Sequence, residues 1–233
     1  MPTPSAAPPD RILAAAAVVF AESGYAGASM TVLARRCGVS KALLYHYFAG
    51  KDDILFRLLD AYTTRLIALC SAVVERRLPP GDHFDALVTT LLVEYRTSRN
   101  VHKVILQDVD HLPAGRRRKI RAQEREVVEY FRAAIARAFL ANADERRLTT
   151  AAMMVLGMIN WTFTWLNPAG PLGYEDFARA VLAVCRGGLA QLPAPGGGRI
   201  GRRARRGRGL AVKHQEVVSQ NVESGDGSAS PVP

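Results

Sequence analysis

"MTVLARRCGVSKALLYHYFAGKDDIL", residues 30–55, holds two short amphipathic segments separated by a glycine, and a serine precedes each of them. Ser29 and Ser40 stand where a hydroxyl caps a helix, so the pattern predicts one helix through about Arg36 and another through about Phe48. Leu33, Cys37, Val39, Leu44 and Tyr47 fall at spacings that point between two helices, and Ala34 is small where the axes would meet. Gly38 occupies the turn position that calls for positive φ. Any other residue there is expected to cost roughly 1–2 kcal/mol. A turn this tight sets the second helix steeply across the first, which is the geometry that pushes a helix into a major groove. A plain helical hairpin is the alternative reading of the same spacing.

Outward from this stretch the helical pattern continues in both directions. Upstream, Asp10 caps an alanine-rich helix with apolar residues from Ile12 to Phe20, and Gly24 lies at its expected C-cap. Downstream, a long helix is predicted from Lys51 to about Arg77, followed by the "LPPGD" break at 78–82. Further helices are expected at 82–98, 99–111, 114–141 and 145–166, then a "NPAGPLGY" break and a last helix from Glu175 to Leu192. No strand-type alternation competes, so the fold class is all-α. Residues 1–9 are rich in proline and alanine, and from Pro193 onward glycine, arginine and serine replace core formers; both ends read as disordered. The organisation expected is a disordered 1–9, a three-helix unit with the helix-turn-helix at 10–56, a larger helical domain at 57–192, and a disordered basic tail at 193–233.

Bulk properties narrow the function. The chain has 233 residues, 48% of them hydrophobic, enough for a real core. Its net charge is +10, a balance that favours polyanionic partners. Part of it is local: seven basic residues and no acid lie between Arg199 and Lys213. That run reads as a flexible arm adding nonspecific DNA affinity or as a solubilising appendage. Cys37, Cys70 and Cys185 are far apart and set among apolar neighbours, which suits buried thiols in a reducing compartment. No apolar run approaches the roughly 18 residues of a membrane span and the N-terminus lacks a secretory layout, so a cytoplasmic protein is expected, with no membrane partner. There is no phosphate-binding loop and no GxSxG elbow, and His102, Asp108 and His111 make a poor metal set. No catalytic residue, metal or cofactor is expected.

The stretch "FAESGYAGASMTVLARRCGVSKALLYHYFAGKDDIL", from Phe20 to Leu55, resembles the DNA-binding domain of the TetR/AcrR family of bacterial transcriptional regulators. The resemblance implies that the "VSKALLYHYF" helix enters the major groove, that Tyr45 and Tyr47 approach phosphates, and that Lys51 does so from the next helix start. Phenol hydroxyls, an ammonium and helix N-terminal amides are good phosphate donors that fix register without reading bases. Base reading falls to Lys41, Ala42 and Leu43 at the front of that helix, with His46 beside them. Lysine can donate to guanine, whereas Ala42 and Leu43 can only touch thymine methyls. Leu43 departs from the small polar residue common there in the family, which shifts weight to DNA shape. Ser29, Thr31, Arg35 and Ser40 complete the DNA-facing set. For Tyr45 a half-buried core position is the alternative, for Phe48 core packing is preferred, and Arg35 and Arg36 are equally read as a solvated face.

One such unit is too small for useful specificity, so a homodimer on paired half-sites is expected. Residues 148–166 and 175–192 are apolar on more than one face, and pairing two copies into a four-helix bundle would bury them. The family also encloses an effector cavity in its middle helices. "MMVLGMINWTFTWLNPAGPLGYEDFARAVLAVCRGGL", 153–189, resembles the subgroup that answers to CoA thioesters, which implies an effector such as a fatty acyl-CoA or phenylacetyl-CoA. Met153, Met154, Met158, Trp161 and Trp165 are the candidates for an adaptable apolar lining. In "HLPAGRRRKIRAQER" the residues Arg117, Arg121 and Arg125 share one helical face that can grip phosphates; a solvated face laced with Glu124, Glu126 and Glu129 is the plainer reading. The function expected is therefore a dimeric, effector-released repressor. An acyl-CoA or lipid carrier without specific DNA binding, and a multidrug-sensing repressor, are the competing readings.

Overall fold

The computed structural model describes residues 9–167 and 170–193, and among them the only regular elements are helices. In chain order these are α1 (Pro9–Gly27), α2 (Met30–Cys37), α3 (Lys41–Tyr47), α4 (Lys51–Glu75), α5 (Pro80–Thr97), α6 (Arg99–Asp108), α7 (Ala114–Ala138), α8 (Glu145–Asn160), α9 (Thr162–Trp165) and α10 (Tyr174–Gly188). Short 3-10 turns follow α6 at Val109–His111 and α10 at Leu189–Gln191. Of the ends expected to be disordered, 1–9 and 193–233, residues 1–8 and 194–233 lie outside the described residues, and Pro9 opens α1.

The helix-turn-helix forms as its sequence dictates. Ser29 Oγ accepts from the Val32 amide at 3.2 Å and Ser40 Oγ from the Leu43 amide at 3.0 Å, so each serine satisfies a donor its helix leaves open. Gly38 adopts φ 66°, ψ 30°, and the bonds Gly38 N–H to Arg35 O and Val39 N–H to Ala34 O close a Schellman turn. A Cβ at Gly38 would meet open space, so the demand for glycine comes from the backbone alone. Leu33, Ala34 and Leu44 are buried between the helices, with Cys37, Val39 and Tyr47 packed at the margin.

Several boundaries differ from the sequence pattern, each for a local reason. Gly24 does not end α1: at φ 69°, ψ 164° it kinks the chain, and a further turn carries on to Gly27. That region of backbone space belongs almost wholly to glycine. The helix expected at 145–166 breaks at Trp161, where the Thr162 and Thr164 hydroxyls bond back to the Ile159 and Trp161 carbonyls. The ends of α6, α7 and α10 come three to four residues sooner than predicted, as last turns tighten or cap.

Helix α4 joins the two halves. Its 25 residues run about 37 Å at 1.5 Å per residue. Ile54 and Leu55 near its start are fully buried, and Thr63 and Leu66 further along face a cavity. A polar seam binds it to α7 through residues spaced one helical face apart. Arg116 reaches Asp52 and Asp53, both at 2.9 Å; Lys119 reaches Asp60 at 2.8 Å; Gln123 bonds Asp60 and Thr64.

Candidate nucleic-acid interface and ligand cavity

Helix α3 turns Lys41, Ala42, Tyr45 and His46 to solvent, and α2 turns out Thr31 and Arg35. Leu43 and Tyr47 are half-buried. Tyr45 is 49% exposed, so half of it packs and half faces solvent, whereas Phe48 is buried at 1% with the Arg57 guanidinium 5.1 Å above its ring. Lys41 Nζ sits 5.9 Å from the Tyr45 ring centroid and the His46 ring meets Tyr47 edge-on at 5.1 Å. The capping serines accept through oxygen, which leaves each hydroxyl proton free to donate to a phosphate. Arg36 pairs with Glu22 at 3.1 Å; Arg35 has no ion pair among the described residues. The face is thus compact, donor-rich and cationic.

Lys51 is more committed than its position suggests. Its ammonium donates to the Tyr25 carbonyl at 2.8 Å and the Ala28 carbonyl at 2.9 Å, and lies 4.0 Å from the Tyr25 ring centroid. One of its three N–H groups remains for a phosphate. Tyr25 in turn stacks on His111 with ring centroids 5.0 Å apart. Burial, with Asp52 nearby, pushes the Tyr25 phenol above its usual range.

The second site is a cavity of about 380 Å³. Thr63 and Leu66 of α4, Tyr95 of α5, and His102, Ile105 and Leu106 of α6 form one side. Arg121, Glu124, Arg125, Val127 and Val128 of α7, with Met153, Leu156 and Asn160 of α8, form the other. Arg121 and Arg125 stand at the solvent edge. Arg121 is held by Glu124 at 3.0 Å and Asp110 at 3.2 Å. Burial raises the Glu124 carboxyl above its ordinary range, with Arg121 pulling the other way.

His102 is the polar hub of the inner wall. Its Nε2 bonds the Asn160 carbonyl at 2.9 Å, and a carbonyl can only accept, so the proton sits on Nε2 and Nδ1 accepts from the Tyr62 hydroxyl at 2.9 Å. The ring stacks on Tyr95 at 3.8 Å. Burial lowers its pKa to about 4, against the bond to Asn160, so the imidazole is neutral at physiological pH. Nothing in either site has the form of a nucleophile and base, and no group of metal-ligating side chains occurs among the described residues.

Comparison with known proteins places this geometry. Residues 12–58 match the family model described as bacterial regulatory proteins, tetR family, and residues 77–189 match the tetracyclin repressor-like C-terminal domain. A TetR-family transcriptional regulator from Bordetella parapertussis is 32% identical, with a TM-score of 0.74 over 80% of this chain and 97% of that one. The chain belongs to the TetR family. AibR, solved in complex with isovaleryl coenzyme A and operator DNA, is 25% identical with a TM-score of 0.68, over 76% of this chain and 97% of that one. The transcriptional repressor KstR2 of Rhodococcus jostii is 24% identical over 77% of this chain and 89% of its own. As a TetR-family member the chain is a transcriptional regulator, and these relatives are regulators rather than enzymes. No helix among the described residues is long and apolar enough to cross a membrane.

Within this TetR fold the expected ligand residues divide. Met153, Arg121 and Arg125 line the cavity; Met154, Met158, Trp161, Trp165 and Arg117 do not. At 100° per residue, positions 153, 156 and 160 make one stripe of α8, while 154 and 158 fall a third of a turn or more away; Trp161 and Trp165 lie beyond the break. Met154 and Met158 instead face a groove of about 390 Å³ that α8 shares with Val184, Gly188 and Leu192. Trp161 stacks on Phe163 and Trp165 meets Phe177 edge-on, each about half exposed. Arg117 lies one turn before Arg121 and donates to the Asp110 carbonyl. The residues missed were His102, Tyr95 and Asn160. Asn160 had a signal, as the one amide closing the apolar run "MMVLGMIN".

Proposed function

We propose that the protein is a dimeric repressor that reads a two-fold operator through α3 and leaves it when a CoA thioester of a fatty or aromatic acid enters the cavity. The observation that carries this reading is an apolar chamber with two arginines at its solvent edge, in a chain that also exposes a cationic helix-turn-helix. The acyl group fits the chamber, and Arg121 and Arg125 meet phosphate oxygens outside it. At about 380 Å³ the chamber is near the lower bound for ligand sites, so the nucleotide stays outside. The binding of isovaleryl coenzyme A by AibR supports the ligand class. Lys41, Ala42, Leu43 and His46 contact base edges, while Tyr45, Tyr47, Lys51, Arg35, Thr31 and the serine hydroxyls meet phosphates.

Two connections transmit occupancy. Helix α6, which lines the chamber with His102 and Ile105, bonds α1 through Lys103 Nζ and the Ala21 carbonyl at 2.7 Å. Helix α7, which carries Arg121 and Arg125, clasps the start of α4 through Arg116. A ligand that spreads these helices shifts both anchors of the reading unit and changes the separation of the two α3 helices in the dimer. The dimer forms through α8 and α10, where Met154, Trp161 and Val184 are half or more exposed. Fluorescence anisotropy with DNA flanking the gene tests this. Salt-sensitive binding by two chains, reversed by acyl-CoA or phenylacetyl-CoA, is expected. Tight acyl-CoA binding without preference for that DNA over random sequence would overturn it in favour of a carrier.

A further inference from the structure

On the inner wall of the chamber His102 uses both ring nitrogens, Nε2 toward the Asn160 carbonyl and Nδ1 toward the Tyr62 hydroxyl. Tyr95, stacked on that ring, leaves its own hydroxyl without a hydrogen bond among the described residues. The side-chain atoms there that are both unbonded and sealed from solvent are Asp85 Oδ1, Arg132 Nε, Arg147 Nε, Asn160 Oδ1 and the Tyr174 hydroxyl. The Tyr95 hydroxyl is not one of them, so it keeps a patch of accessible surface, and the space that Tyr95 borders is the chamber. Burial, with Cys70 nearby, raises its phenol above the usual range, which leaves a neutral donor. The Asn160 side-chain NH2 is a second unbonded donor on this wall, but Asn160 is only part-buried whereas Tyr95 is 3% exposed. A fully apolar ligand that fills the chamber therefore strands the hydroxyl away from water, and a stranded buried donor is expensive.

We infer that Tyr95 is a specificity-determining residue: its hydroxyl donates to an uncharged oxygen on the acyl portion of the effector while the anionic end meets Arg121 and Arg125. This rests on the CoA-thioester reading above. The oxygen has two sources, the thioester carbonyl and a keto group further along the acyl chain. Tyr95→Phe separates the hydroxyl from the rest of the residue, because the ring that stacks on His102 at 3.8 Å is retained. Since the lost hydroxyl has no partner in the protein, this variant melts without ligand at or above the temperature of the wild type.

Isothermal titration of the full chain, wild type and Tyr95→Phe, decides it with three ligands: decanoyl-CoA, 3-oxodecanoyl-CoA and S-decyl-CoA, the thioether that lacks the carbonyl. With the thioester carbonyl as acceptor, decanoyl-CoA binds the wild type about tenfold more tightly than S-decyl-CoA, and Tyr95→Phe erases the difference. With a keto oxygen as acceptor, decanoyl-CoA and S-decyl-CoA bind the wild type alike, 3-oxodecanoyl-CoA binds about tenfold more tightly, and that advantage is the one lost in Tyr95→Phe. Affinities for all three that are unchanged in Tyr95→Phe, or weakened equally, overturn this proposal and leave the CoA reading standing. A lowered melting temperature of the unliganded variant also overturns it, because the hydroxyl would then have its partner within the protein. No binding of any of the three to the wild type overturns the CoA reading and this proposal together.

Discussion

The reading face on α2 and α3 and the chamber beneath it are built in opposite ways. The face draws on fewer than 25 consecutive residues, and each side chain's orientation follows from a serine cap, one glycine turn and helical spacing. The chamber takes its walls from five helices separated by up to about a hundred residues, and its polar hub joins Tyr62, His102 and Asn160. Local construction makes the face easy to specify and easy to alter one contact at a time. Distributed construction makes the chamber sensitive to movement in any wall, which is what a sensor requires.

The largest effect should come from removing the support of the face. Leu44 is fully buried between the two short helices, and Leu44→Ala is expected to cost about 2–5 kcal/mol, lowering the melting temperature and abolishing operator binding. Retained operator affinity would mean that α3 does not depend on this packing. In the chamber, the counterpart is His102. Its folded-state pKa of about 4 lies below the ordinary 6.5, so between these values the unfolded chain binds the proton and acid favours unfolding. The stabilisation is present above pH 6.5 and lost as pH falls toward 4. Relative to His102→Gln, the wild type should lose about 3 kcal/mol across that window in denaturant titrations; parallel curves would refute a neutral buried imidazole.

A third test addresses the link between the regions. Arg116→Met removes the clasp on Asp52 and Asp53, while Asp53 keeps Arg57 at 3.1 Å. Operator affinity without ligand should change less than about threefold, but the ligand-induced loss of affinity should shrink by about tenfold, a coupling of about 1.4 kcal/mol. Unchanged release would assign the coupling to α6 alone. The smallest effect belongs to a single contact of the face: with Lys41 as a base reader, Lys41→Ala should weaken operator binding severalfold and relax the preference for operator over random DNA. A uniform weakening on both, with the salt slope lowered by about one, would make the lysine a phosphate contact instead.

This division also governs what the sequence discloses. Ser29, Gly38, Ser40 and the Leu33–Leu44 spacing declare the helix-turn-helix because each acts on neighbours within a few positions. The long helices were legible from periodicity, except where hydroxyls at Thr162 and Thr164 cut α8 from α9 or Gly24 bent α1. The chamber was only half legible. Met153, Arg121 and Arg125 were identified, but the methionines of α8 split between two stripes, and sequence alone shows neither which stripe faces inward nor that His102 and Asn160 meet.

The Lys51 ammonium holds the end of α1 by two main-chain carbonyls, with the Tyr25 ring as the one side chain it touches there. A fastening of this kind is indifferent to the identity of its acceptors, since every residue type presents the same oxygen. A substitution at position 25 therefore loses the ring contact and keeps the carbonyl, provided that the bend at Gly24 holds both oxygens within reach, whereas Ala28 is buried and admits nothing larger without repacking. Descendants of this chain can thus revise the aromatic half of that corner while the joint itself persists.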